Sequence, residues 1–362
     1  YEEINDNEIG NVLQDMYLAN GKIYFITQNG KTSSMGTTFN GDGRFVVCDA
    51  HTMKRLVARD MPFYANIDTS TGATQSSKST LCWPQHIVVV SPEKAYIQYS
   101  TADNESHSGI RIVDLQTNII RTSDIPGTFG VFTKTGATKA RMIFSRGKVF
   151  AGRGNSVIVL DPATDAVIKT VTYENRQVKD LAKGYDGKIY AIFTGEFTGN
   201  SGMTGAASFT KPAMIVALDA NGEVVSETNL PEQIELRTGT ASPTVQMCAS
   251  FTQPHLYFIG KQDFSAYEAM RYNYETGKVN WDYITADLDA DHSGGDIIYG
   301  YMGVHPTTEQ LWVGKSTYTQ SAVHVYDVSR SDALEFSSFY QKKASPAGVD
   351  FAYRFSDEWI NK

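Results

Sequence analysis

Short apolar runs recur along the chain, each ending on an acidic or amide residue and resuming after a brief polar turn. The runs cover 44–49, 110–114, 157–161, 214–219, 270–273 and 323–327, and they end on Asp49, Asp114, Asp161, Asp219, Asn273 and Asp327. An Asp or Asn at that place can accept hydrogen bonds from backbone N–H groups two residues on, which starts a tight turn. A second hairpin lies upstream of each run. Its turns include Asn20-Gly21, Arg146-Gly147 and Asp186-Gly187, and an aromatic follows each turn: Tyr24, Tyr96, Phe150, Tyr190, Tyr257 and Trp312. Asn-Gly and Asp-Gly are the preferred two-residue hairpin turns. Each unit therefore reads as four antiparallel strands.

The units follow one another at intervals of 47–65 residues with no helical periodicity between them. Repeats of that size made of four strands predict an all-β β-propeller. The expected architecture is a single domain over 1–362, with blades at 11–61, 82–126, 138–173, 178–230, 243–285 and 297–342. A seventh blade is expected from 343–362 plus 1–10, because 346–354 reads as one more inner strand and 1–4 as an outer one. Both termini would then close the last blade and remove an open sheet edge; a six-bladed ring with ragged ends is the alternative.

In such a fold the inner strand of each blade lines a central channel. Counting back from the second-strand aromatics puts Asp15, His86, Arg141, Asp180, Gln246 and Tyr301 at the start of successive inner strands. Each is followed by an apolar residue such as Met16, Ile87 or Met142. These six form the expected polar ring of a ligand site, where a few converging polar groups fix a ligand's orientation. Tyr64 and Trp83, read as loop aromatics, complete the candidate set. Four insertions, at 31–43, 60–79, 195–211 and 232–242, are long enough to shape such a site.

Composition narrows the functions. The net charge is −8 and no basic run occurs, so nucleic acid is not an expected partner. No apolar stretch reaches the length of a membrane-spanning helix. The chain begins at Tyr1 and reads as processed. Three cysteines cannot form a complete disulfide set. The segment carrying Asp287, Asp289 and Asp291 before a Gly pair is a weak calcium candidate, since alternating carboxylates suit a hard cation. It departs from the helix-loop-helix calcium pattern at its sixth and twelfth positions. The seven histidines show no zinc spacing, and no nucleophile elbow or phosphate loop is present. An enzyme of the lactonase or lyase type, working through Asp15, His86 and Asp180, is the less favoured reading.

The units Pro84-Gln-His-Ile-Val, Lys94-Ala-Tyr96 and Ile110-Arg-Ile-Val-Asp114, together with 141–164, resemble YncE-type seven-bladed propellers. The opening Ile9-Gly-Asn-Val-Leu-Gln-Asp-Met-Tyr17 with Gly21-Lys-Ile-Tyr24 resembles a Bacteroidetes group of surface lipoproteins, DUF5074. The resemblance implies a lipid-anchored protein on the outer face of the outer membrane, or a periplasmic one. It also implies capture of a corrinoid such as cobalamin for a TonB-dependent transporter. A protein- or glycan-interaction scaffold is the alternative. The lipobox cysteine of that group is not in this chain.

Overall fold

A computed structural model describes residues 4–5, 9–10, 13–27, 43–61, 64–67, 74–101, 107–131, 140–199, 207–231, 247–259, 269–284, 297–298, 301–316, 321–329, 334–341 and 348–362. The fold is an all-β β-propeller of four-stranded antiparallel blades. The chain divides into two compact units, Tyr1–Val171 and Thr172–Lys362.

In the first unit, blade 1 consists of Leu13–Ala19 (β1), Lys22–Thr27 (β2), Gly43–Asp49 (β3) and Arg55–Met61 (β4), paired in that order. Tyr64–Ile67 (β5) precedes the long strand Thr74–Ser91 (β6), which begins blade 2. Lys94–Thr101 (β7), His107–Asp114 (β8) and Ile119–Asp124 (β9) complete that blade, with Gly130–Val131 (β10) also paired to β8. Ile143–Ser145 (β11), Lys148–Arg153 (β12), Ser156–Asp161 (β13) and Ala166–Thr172 (β14) form blade 3.

Blade 4, in the second unit, contains Val178–Lys183 (β15), Ile189–Phe193 (β16), Met214–Leu218 (β19) and Val224–Asn229 (β20). A separate hairpin, Glu196–Gly199 (β17) and Ala207–Lys211 (β18), is inserted between its second and third strands. Blade 5 is Cys248–Ala249 (β21), His255–Phe258 (β22), Ala269–Asn273 (β23) and Val279–Ile284 (β24). Blade 6 has an interrupted inner strand, Ile297–Ile298 (β25) and Gly303–Val304 (β26), both paired to Gln310–Ser316 (β27). Ser321–Asp327 (β28) and Leu334–Gln341 (β29) follow.

The repeat read from the sequence is the blade. Asp49 Oδ1 accepts from the backbone N–H of His51 and Thr52 at 3.0 and 2.8 Å. Asp114, Asp161, Asp219, Asn273 and Asp327 accept from the N–H two residues on in the same way. The second-strand aromatics Tyr24, Tyr96, Phe150, Tyr190 and Tyr257 are buried, and Trp312 is half-buried. Strands β13, β15, β16 and β19 are buried along almost their whole length. A strand covered on both faces reads as a continuous apolar run rather than an alternating one. The core of the second unit lies between blades. Tyr190 and Ile192 of blade 4 pack with Leu256, Phe258 and Tyr272 of blade 5, and Tyr257 and Ile284 of blade 5 pack with Leu311 and Val313 of blade 6.

Six blades are present among the described residues, and the expected seventh, from 343–362 plus 1–10, is not formed. The tail makes one parallel bridge, Tyr301 to Gly348, with the Val349 N–H donating to Tyr301 O at 2.8 Å. It then leaves the extended conformation for a 3-10 turn, Ala352–Phe355, and a short helix, Asp357–Asn361 (α1). Ser356 caps that helix by accepting from the Trp359 N–H, and Asp357 and Glu358 occupy the first turn, where carboxylates are favoured. The N-terminal segment goes elsewhere: Asn5 donates to Met53 O and accepts from the Arg55 N–H, at the start of β4 in blade 1.

Chain direction fixes where loops leave each unit. An inner strand starts at its leading end, and the connections from second to third strand and from blade to blade return to that end. Turns at the opposite, trailing end contain two to six residues. The connections 28–42, 132–142, 230–247, 259–268 and 285–296 all depart from leading ends. Of the four insertions anticipated from the sequence, 60–79 and 195–211 contribute the β5–β6 and β17–β18 hairpins on this side, and 31–42 and 232–242 lie outside the described residues.

Candidate functional site

Strand register tests the proposed equivalence directly. Met16 pairs with Phe25 and Tyr17 with Tyr24 in blade 1. Ile87 pairs with Ile97 and Val88 with Tyr96 in blade 2. Ile143 pairs with Phe150, Leu181 with Ala191, Cys248 with Tyr257 and Gly303 with Trp312 in the remaining blades. Asp15, His86, Arg141, Asp180 and Tyr301 therefore hold matching places at the leading end of an inner strand. Gln246 belongs to the same series by sequence but lies outside the described residues.

The first unit brings three of them together. Asp15 is buried and is flanked by His86 Nδ1 at 3.4 Å and Arg141 Nε at 3.7 Å. Its carboxylate also accepts from two backbone groups, Met16 N–H to Oδ1 at 2.9 Å and Ile87 N–H to Oδ2 at 3.2 Å. One carboxylate thus ties the inner strand of blade 1 to that of blade 2 and faces the guanidinium of blade 3. His86 is as buried as Asp15, whereas the Arg141 side chain keeps 12% of its exposure. The cluster is preorganised: a negative group held from two sides by positive or protonatable ones, with Arg141 the member nearest solvent.

In the second unit Asp180 repeats the backbone part of this device. It is fully buried, Oδ1 accepts from the Leu181 N–H at 2.8 Å, and Oδ2 accepts from the Met247 N–H of blade 5 at 2.7 Å. Asp180 is thus a clamp between blades 4 and 5. Tyr301 is buried and takes the tail through its backbone. Asp15 and Asp180 each accept from two backbone N–H groups within their own unit.

Tyr64 and Trp83 were expected on loops, and both lie in strands. Tyr64 pairs with Leu81 in the β5–β6 hairpin, and Trp83 pairs with Ser100 in blade 2. The reason is the length of β6: residues 82–91 belong to the blade, and 74–81 run on beyond its leading end to pair with β5. Eight residues at about 3.3 Å each give an extension of roughly 26 Å. Asp287, Asp289 and Asp291 lie outside the described residues. Among the described residues no group of three His, Cys, Asp or Glu side chains could hold a metal.

The reading of the sequence missed the residue before each of these positions. Register shifts between Leu13 and Asp15, between Pro84 and His86, and between Val178 and Asp180 mark a bulge in three inner strands. The extra residues are Gln14, Gln85 and Lys179. A bulge leaves one residue unpaired and re-aims its side chain. The visible signal was a recurring quartet of apolar, polar, polar, apolar residues: Leu13-Gln14-Asp15-Met16, Pro84-Gln85-His86-Ile87 and Val178-Lys179-Asp180-Leu181.

The model of the domain of unknown function DUF5074 matches residues 1–351, and the chain belongs to that family. Its blades and its inner-strand clamps thus describe a member of a family defined by sequence. No curated protein is detectably similar. Among solved structures, Kuenenia stuttgartiensis hydrazine synthase superposes with a TM-score of 0.55 at 13% identity, over 92% of this chain and 86% of that one. The WD40 repeats of RRP9 give 0.54 at 8% identity over 97% and 87%. A chain of the mitotic checkpoint complex gives 0.52 at 9% identity over 95% and 87%. At these identities the likeness concerns the fold alone. That fold suits a binding or scaffold role. Among the described residues no helix is long and apolar enough to cross a membrane.

Proposed function

We propose that the protein captures a ligand at the leading end of the inner strands of its first unit, around Asp15, His86 and Arg141. The observation carrying this reading is the meeting of those three side chains, from three successive blades, at the end from which the β5–β6 hairpin extends. A large ligand bearing many amide groups, such as a corrinoid, offers carbonyl acceptors to the Arg141 guanidinium, the member of the cluster nearest solvent. The proposed setting is the outer face of the outer membrane or the periplasm, with a TonB-dependent transporter receiving the ligand. No nucleophile with an adjacent base is present among the described residues of this cluster, which favours binding over catalysis.

The test is a thermal-shift screen against cobalamin, cobinamide and haem, followed by calorimetry on the wild type and on Arg141→Gln. A ligand that binds only the folded state raises its stability by about 2.7 kcal/mol at a hundred times its dissociation constant. A corrinoid is expected to raise the melting temperature, and the substitution to weaken binding about tenfold, the loss of one charge-assisted hydrogen bond. Binding of equal strength by Arg141→Gln would remove the ligand from this cluster. A second reading, a scaffold for a protein partner, draws on Leu56, Ile119 and Ile168, which stand about half exposed on the outermost strands of blades 1, 2 and 3. A flat screen with capture of an outer-membrane protein would favour it.

A further inference from the structure

Lys179 is an anomaly among the buried cations of the second unit. It is the bulge residue of β15, next to the clamp Asp180, and only 9% of its surface is exposed. Other buried lysines there have evident roles. Lys183 donates to the carbonyls of Trp359 and Ile360, and the Lys315 ammonium stands 5.2 Å from the Tyr326 ring centre. Among the described residues the Lys179 side chain has no hydrogen-bond or ion-pair partner. The neighbouring Asp180 carboxylate is engaged by two backbone N–H groups. Nor does the bulge itself require a cation, because the same place in blades 1 and 2 holds Gln14 and Gln85. A charge kept in so buried a place without a partner is unfavourable unless something pairs with it. Burial pushes the ammonium down to about 8, so at pH 7 roughly nine in ten molecules still carry the charge.

We propose that Lys179 anchors a ligand site of the second unit that takes an oxyanion: a carboxylate or a phosphate group. The anion would receive a charge-assisted hydrogen bond from Nζ in a place where water competes poorly. The site does not depend on the reading of the Asp15 cluster, and its test leaves that cluster untouched.

The experiment compares the melting temperatures of the wild type, Lys179→Gln and Lys179→Arg in acetate, inorganic phosphate and chloride at equal ionic strength. Glutamine is the residue of the matching bulges, so the fold should accept it. The expected result is a rise of several degrees for the wild type in acetate or phosphate over chloride, lost in Lys179→Gln and partly kept in Lys179→Arg. In chloride, Lys179→Gln should melt no lower than the wild type. Which anion acts tells a carboxylate site from a phosphate site. A wild type indifferent to both anions, an equal response in Lys179→Gln, or a Lys179→Gln that melts well below the wild type in chloride would each overturn the proposal. An independent readout needs no variant: cyanate modification of Lys179, followed by mass spectrometry, should slow when the effective anion is present, and an unchanged rate would count as refutation.

Discussion

Removing the Asp180 carboxylate is the sharpest test of how the inner strands are joined. The group is wholly buried and holds two backbone N–H groups at 2.8 and 2.7 Å, one in its own strand and one in blade 5. Hydrogen bonds to a charged group contribute about 1.5–3 kcal/mol each, and a buried N–H left without a partner costs a similar amount. Asp180→Ala should therefore destabilise the second unit by about 4 kcal/mol. For a cooperative unit of this size that corresponds to a fall in melting temperature of roughly 8–16 °C. Asp180→Asn keeps one acceptor oxygen and should lose about half as much. The assay is urea unfolding followed by tryptophan fluorescence, which places Trp359 of the same unit in the signal. A shifted midpoint with unchanged slope is the expected pattern. An Asp180→Ala protein within 1 kcal/mol of the wild type would refute the clamp and return Asp180 to the pool of ligand-binding candidates.

Two further outcomes follow from the second unit. Burial and the charge of Arg271 hold the His255 imidazole down to about 4, below its unfolded value near 6.5. The unfolded chain then takes up the proton first, so this contribution to stability is complete above pH 6.5 and is lost as the pH falls from 6.5 toward 4. Urea midpoints at pH 7, 5.5 and 4.5 should fall more steeply for the wild type than for His255→Gln, and parallel curves would disprove the assignment. Trp359 is buried against Phe251 at 4.6 Å between ring centres and lies with Lys183 at 5.3 Å. Trp359→Ala should cost about 3–5 kcal/mol, measured by calorimetry, and a loss below 1 kcal/mol would mean that the tail is not part of the unit's core.

The blade was legible because its determinants are local. Turn Asp residues such as Asp49 and Asp114 bond backbone groups two and three residues away, and second-strand aromatics fix the register of their own hairpins. The matching of Asp15, His86, Arg141, Asp180 and Tyr301 across blades came from the same local counting. What those residues touch was not legible, because it depends on neighbouring blades: nothing in the vicinity of Asp180 points to Met247, 67 residues on. The bulges hid Gln14, Gln85 and Lys179, since a two-residue alternation gives no place to an unpaired residue. The tail misled for a related reason. Residues 346–354 have the composition of an inner strand, but Ser356-Asp357-Glu358 builds a helix start just beyond them. The reading of Trp83 as a loop residue failed because a continuous strand and a blade boundary look alike in sequence when the strand runs on into a hairpin.

The Lys183 ammonium donates to Trp359 O across a separation of 176 residues. During synthesis the chain emerges from its N-terminus at roughly 5–20 residues per second, so blade 4 must wait on the order of ten seconds or more for its last partner. Until then the faces of Phe251 and Lys183 that the final helix will cover are open. A nascent chain stopped short of residue 359 would expose an apolar patch beside an unsatisfied cation, a form that chaperones and proteases recognise. Residues 352–362, which lie beyond the part matched by the family, thus set the order of assembly: the core of the second unit closes only after Trp359 has been made.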